Sequence, residues 1–212
     1  MPVWQRVYEE INDPDFVLIC VAEDTGGEAV AGPIFDAAAA TYVQVVDPDH
    51  RVSSAFNFIN VPSAAWIDEN GHIVRIDEGT YAQIHQFGEG DAAISFGTDV
   101  YTPALKDWVA KGAASRHIQN EAQIAANARS TTTDHLRAEA AFRLGNLFRQ
   151  HGEAEKAEHY WRIARELHPE SVNYFRQDLT LTEEGSAGAR FMAFRDTFVT
   201  EGRDYYRPMN LD

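Results

Sequence analysis

Seven consecutive apolar residues, Phe16-Val17-Leu18-Ile19-Cys20-Val21-Ala22, stand between the turn formers Asp13-Pro14-Asp15 and the acidic pair Glu23-Asp24. An apolar run of that length with such flanks predicts a strand buried on both faces, the kind found in parallel sheets. It therefore demands cover above and below and a hydrogen-bonded neighbour on each edge. Tyr42–Val46, stopped by Asp47-Pro48-Asp49, predicts a second strand and is the expected neighbour on one side.

The rest of the first half fits around these strands. Trp4, Val7, Tyr8 and Ile11 follow helical spacing over residues 3–11. Glu28–Ala40 predicts a helix whose first half Gly32-Pro33 disturbs, and a short helix is expected over Arg51–Phe58. Ser63–Ile67 and His72–Ile76 predict two strands joined by Asp68-Glu69-Asn70-Gly71, with glycine where the turn needs a positive φ. Asp77–Thr102 is glycine-rich and reads as loop, and Pro103–Ala114 as a helix with Leu105, Trp108 and Val109 on one face.

Beyond Thr131 the composition changes. Two helices with almost no β-branched residues are expected at about 137–150 and 154–168, separated by His151-Gly152-Glu153 and stopped by Pro169. More helix is expected at 171–178 and 188–200. Leu144, Gly145, Phe148, Ala157, Trp161, Ala164 and Pro169 match the tetratricopeptide pattern in type and spacing, with Ala141 where that pattern usually has tryptophan. Gly145 and Ala157 are small where two antiparallel helices would cross. One such unit is too few to stack into a concave binding surface, so the hairpin is expected to pack on the first half or on a second subunit. The division expected is residues 1–120 and 131–212.

The 212 residues carry 18 basic and 33 acidic side chains, a formal net charge of −15. That excludes a surface built for nucleic acid or an anionic membrane, both of which need a basic patch. No apolar run is long enough to span a bilayer, and Met1–Arg6 shows no basic region leading into an apolar stretch. The single cysteine, Cys20, cannot form an internal disulfide, which fits a reducing compartment; a cytoplasmic location is the expectation.

The order of elements in residues 1 to about 115, with Asn60-Val61-Pro62-Ser63-Ala64 leading into the hairpin, resembles the TlpA/ResA-like thiol–disulfide oxidoreductases of the thioredoxin superfamily. The resemblance implies a thioredoxin-like α/β fold, a cis peptide bond at Pro62 facing the redox site, and a substrate surface at Val61, Pro62 and Trp4. It implies a thiol or disulfide substrate, protein or small molecule, and no cofactor.

The chain departs from that family in one respect. The family places a central strand and a Cys-x-x-Cys motif before the helix that here starts at Pro2, and neither is present. The chemistry needs a thiolate at a helix N-terminus and a second thiol to resolve the mixed disulfide. Cys20, inside an apolar strand, reads instead as a small core hydrophobe. The expectation is therefore a reading frame cut short. A bacterial group that this chain resembles carries selenocysteine in a Trp-Ala-x-x-Sec-Gly-Ser setting, and a gene caller would restart after its stop codon, at Met1. The loss of the central strand is expected to leave an open slot beside Phe16–Ala22, unless that strand pairs with Ser63–Ile67 or borrows a strand from a second subunit. The alternative is a non-catalytic interaction protein whose helical tail docks a protein partner.

Other candidates are weaker. The eight histidines show no zinc-type spacing, so no metal site is expected. Glu23 and Asp24 sit at the C-terminal end of a strand, where α/β sites form, but they and Asp68 read as solvated loop carboxylates. No phosphate loop or nucleophile elbow is present.

Overall fold

The computed structural model describes residues 2–87, 94–180 and 188–211. The expected elements are all there, with shifted ends. Helix α1 (Pro2–Ile11) precedes β1 (Ile19–Ala22), α2 (Glu28–Ala38), β2 (Val43–Val46) and α3 (Arg51–Phe56). Strands β3 (Ser63–Ile67) and β4 (Ile73–Glu78) form the hairpin, with Gly71 at φ 81° and its N–H donated to the Asp68 carbonyl. Part of the stretch expected as loop pairs antiparallel as β5 (His85–Phe87) and β6 (Ile94–Phe96); the residues between them lie outside the described set.

Six helical segments follow. They are α4 (Tyr101–Lys111) with a 3-10 turn at Gly112–Ala114, α5 (Glu121–Asn127), α6 (Thr133–Gln150), α7 (Ala154–Leu167), α8 (Val172–Thr180) and α9 (Ala189–Thr200). Helix α5 falls where the sequence suggested only a boundary. Asn120 starts it with a full capping box: its side chain accepts the Gln123 N–H, and the Gln123 side chain accepts the Asn120 N–H. Among the described residues no helix is long and apolar enough to cross a membrane.

β1 and β2 run parallel, in register Ile19↔Val43 to Ala22↔Val46, while β3 and β4 form a separate antiparallel pair. Among the described residues β1 thus has one strand neighbour, and its other edge stays open, as expected. The burial expected for β1 is not found. Ile19 is 59% exposed and its partner Val43 is 48% exposed. Val17 and Val45 are exposed as well. An apolar run forces burial only when something packs on it, and among the described residues nothing covers that face. Residues 16–18 also fall outside the strand.

Two cores form elsewhere. In the first, Val7 of α1, Trp66 of β3 and Tyr101, Ala104 and Leu105 of α4 close around Leu211 near the chain end, with Trp66 Nε1 donating to the Tyr101 hydroxyl at 2.8 Å. In the second, Ala138, Ala141 and Phe142 of α6 meet Ala157, Trp161 and Ala164 of α7 and Tyr174 of α8. The tetratricopeptide-like spacing is therefore realised as a packed hairpin, with the Trp161 indole over Gly145.

The two halves are not separate in space. The hairpin sits on the β2–α3 turn, where Asn146 Nδ2 donates to the Pro48 carbonyl at 3.3 Å and also receives, through Oδ1, the Trp161 N–H at 2.9 Å. The chain end returns to the hairpin β3–β4. Asn60 Nδ2 donates to the Tyr205 carbonyl, and Arg75 Nη2 reaches the Asn210 carbonyl at 3.4 Å. Residues 205–211 thus belong with the α/β half, although they follow the helices in sequence.

Candidate functional site

Two places gather chemistry-bearing groups. The first is the approach to β3. The Val61–Pro62 peptide bond is cis, in agreement with what the resemblance implied. The backbone around it is closely engaged. The Pro62 carbonyl accepts the N–H groups of Gly79 (2.8 Å) and Thr80 (3.2 Å), and the Val61 N–H donates to the Asn60 side chain. The Val61 carbonyl accepts the Tyr206 hydroxyl at 2.9 Å, and that hydroxyl shares a further hydrogen bond with Tyr81. Gly79 is needed here: its φ is 68°, and a Cβ would lie 3.0 Å from the Tyr206 ring.

Trp4 takes its place in the first core, edge-to-face with Tyr101 at 6.1 Å between ring centroids. Its helical face with Val7 and Ile11 commits it to that packing. Of the three residues expected to form a substrate surface, Val61 and Pro62 stand together, and the Val61 carbonyl is held by the chain end. That strap carries no periodicity, and only the Tyr205-Tyr206 pair and the scattered apolar residues Met209 and Leu211 hint at it.

Cys20 is partly buried, and burial raises its thiol above the usual range. The structure agrees with the reading of Cys20 as packing rather than chemistry.

The second place lies at the C-terminal ends of β1 and β2, the sheet edge where α/β proteins gather ligands. Here the expectation for Glu23 is overturned. Its side chain is only 8% exposed, because α3, α6 and α8 close over the edge. Glu23 Oε1 accepts the Ser53 N–H at 2.5 Å and Asp47 Oδ2 accepts the Val52 N–H at 2.8 Å, so the residues after β1 and β2 supply two carboxylates to the free amides of α3. Glu23 Oε2 is left with no hydrogen-bond partner, 3.7 Å from Nδ1 of His50.

His50 is 1% exposed and adopts φ 55°, and its ring stands edge-on to Phe142 of α6 at 5.0 Å. Neither ring nitrogen makes a well-formed hydrogen bond. Burial pushes the Glu23 carboxyl up to about 7, against the hydrogen bonds from Ser53, with Asp47 adding repulsion. Burial holds His50 down at about 4, although Asp47, Gln177 and Asp49 favour its charged form. The pair is therefore a neutral acid beside a neutral imidazole near pH 6.

Helix α8 seals this edge. Gln177 Oε1 accepts both the Thr25 N–H (2.9 Å) and the Thr25 hydroxyl (3.1 Å) from the β1–α2 turn. Asp24 and Asp68 remain turn carboxylates as expected: Asp24 accepts the Gly26 N–H, and Asp68 accepts those of Asn70 and His72. Among the described residues no group of three or more acidic, histidine or cysteine side chains could hold a metal ion.

Comparison with protein-family models, with curated proteins and with solved structures found no match for this chain.

Proposed function

We propose that this chain is the scaffold of a thioredoxin-superfamily oxidoreductase that acts on thiol, selenol, disulfide or peroxide substrates, with its reactive group contributed by residues other than these 212. The observation that carries the reading is the strand arrangement. A parallel β1–α2–β2 unit is followed by an antiparallel β3–β4 hairpin, in the order of that superfamily, and among the described residues β1 keeps an open edge and an uncovered apolar face. An added strand would satisfy the backbone N–H and C=O groups of that edge and cover part of the exposed apolar surface. Cys20 supplies no redox couple in this reading, because it is a lone, partly buried thiol with a raised pKa.

The test is disulfide reduction by the chain as given and by a form extended with its upstream in-frame coding segment, cysteine standing at any selenocysteine codon. Activity in the extended form alone supports the reading. Activity in the shorter chain that survives Cys20→Ser excludes it.

A second reading is favoured by the exposed leucines of α6. Leu136, Leu144 and Leu147 remain open to solvent after the hairpin has packed. In that reading the chain is a non-catalytic module, and this helix docks a protein partner. An extended form without activity would favour it.

A further inference from the structure

A cleft of about 400 Å³ opens between α3, the α5–α6 connection and the start of α8, and Ser53, whose N–H Glu23 accepts, is among its lining residues. That volume suits a small metabolite. The sequence offers no motif for it, because its walls come from five separate stretches of chain.

Its charge is unusual for so acidic a protein. Two guanidinium groups, Arg129 and Arg207, line it together with the imidazoles of His135 and His168. Arg129 is already engaged: Nε and Nη2 donate to Glu78 Oε1 at 2.9 and 2.5 Å, and Nη1 stands 3.9 Å from Glu170. Its backbone is fixed at φ 56°, and its carbonyl accepts from Asn57 Nδ2 at 3.4 Å.

Arg207 differs. Its main-chain N–H reaches Glu78 Oε2 at 3.4 Å and its Nη1 donates to the Ala126 carbonyl, but among the described residues it forms no ion pair. Burial lowers its pKa, and the charge of Arg129 lowers it further against the nearby carboxylates of Glu78 and Glu170, so one partly buried guanidinium is held beside a second. His168 experiences the same environment: burial, His135 and then Arg129 hold it down at about 4. The His135 and His168 rings stack at 3.9 Å, forming a flat wall. Glu139 also borders the cleft, and Glu170 stands at the arginine side beside Arg129.

We propose that this cleft binds a small molecule bearing a phosphate or carboxylate group, with the oxyanion taken by Arg207 beside Arg129 and the body of the ligand against the His135–His168 wall. A guanidinium fork matches either oxyanion geometrically, and such charge-assisted bonds are about twice as strong as neutral ones. The proposal does not rest on the redox reading, since Arg129, Arg207, His135 and His168 belong neither to the Val61–Pro62 approach nor to the Glu23–His50 pair.

The experiment is calorimetric titration of the full chain with inorganic phosphate and, separately, with acetate, at neutral pH and constant ionic strength. Saturable binding of at least one anion is expected, and which of them binds distinguishes a phosphate site from a carboxylate site. Arg207→Gln should weaken it by about tenfold or more. Ser130→Glu places a competing carboxylate on the exposed rim beside Arg129 without disturbing Arg207, and should weaken binding comparably while leaving the helical circular dichroism unchanged. Absence of saturable binding for both anions overturns the proposal, as does binding that Ser130→Glu leaves undiminished.

Discussion

The Trp161 indole lies directly on Gly145: a Cβ at position 145 would come within 2.3 Å of Trp161 Cδ1 and 2.4 Å of Nε1. The small residue is what lets α6 and α7 approach, and the same indole then donates to Asn146, which holds the Pro48 carbonyl. One helix crossing thus fixes the contact between the helical half and the β2–α3 turn.

Gly145→Ala should therefore destabilise the protein. Alanine gains up to about 1 kcal/mol in helix propensity, but forcing a methyl into this contact costs about 1–3 kcal/mol. A net loss of about 1–2 kcal/mol is expected by urea denaturation, with a shift in tryptophan emission. A midpoint raised by the alanine would show that the helices are not in contact there.

Glu23 and His50 predict a pH signature. The Glu23 carboxyl rises from 4.5 to about 7 on folding, so its contribution to stability is present below pH 4.5 and is lost as the pH climbs towards 7. His50 falls from 6.5 to about 4, so its contribution is present above pH 6.5 and is lost as the pH drops towards 4. Between pH 4.5 and 6.5 the folded pair and the unfolded pair hold one proton each, and the two dependences cancel. Above that window only the cost of ionising Glu23 remains, on the order of 3 kcal/mol. Glu23→Gln should raise the melting temperature at pH 8 and leave it nearly unchanged at pH 5. Equal effects at both values would mean that Glu23 is not held protonated.

Arg75 and Asp77 form a buried ion pair on β4, each side chain 2% exposed, with Nε–Oδ2 at 2.5 Å and Nη2–Oδ1 at 3.0 Å. Arg75 also donates to the His117 carbonyl and lies over the Trp66 ring, with Cζ 5.4 Å from its centroid. Removing one partner leaves an uncompensated buried charge. Asp77→Ala should cost about 3–5 kcal/mol, and the double variant Arg75→Met, Asp77→Leu should recover most of that loss. A double variant as unstable as the single one would assign the loss to packing rather than charge.

The thiol of Cys20 predicts slow chemistry. With its pKa raised by burial, it should react with iodoacetamide far more slowly in the native protein than in denaturant. Equal rates at neutral pH would show an accessible, ordinary thiol.

The strands and the hairpin were legible because local chemistry decides them. The Phe16–Ala22 run, the Asp47-Pro48-Asp49 stop and the Asp68–Gly71 turn each act over a few residues. Gly145 and Trp161 were legible for the same reason, being sixteen residues apart on one helical hairpin. Burial was not legible. Ile19 and Val43 are exposed because no element among the described residues lies over them, and no property of the strands themselves reveals that. Glu23 has the opposite history: the helix that seals its surroundings, α8, comes about 150 residues later and binds through Gln177 and Thr25. The strap from Tyr205 to Leu211 and the arginine cleft are assembled across similar distances, which periodicity does not register.

The reading of the chain as an oxidoreductase scaffold is tested most directly by steady-state reduction of insulin disulfides. The chain as given should show no turnover, with or without Cys20. The form extended by its upstream in-frame segment, with cysteine at any selenocysteine codon, should turn over. Turnover by the 212 residues that persists in Cys20→Ser, or an extended form that remains inactive, would contradict the account.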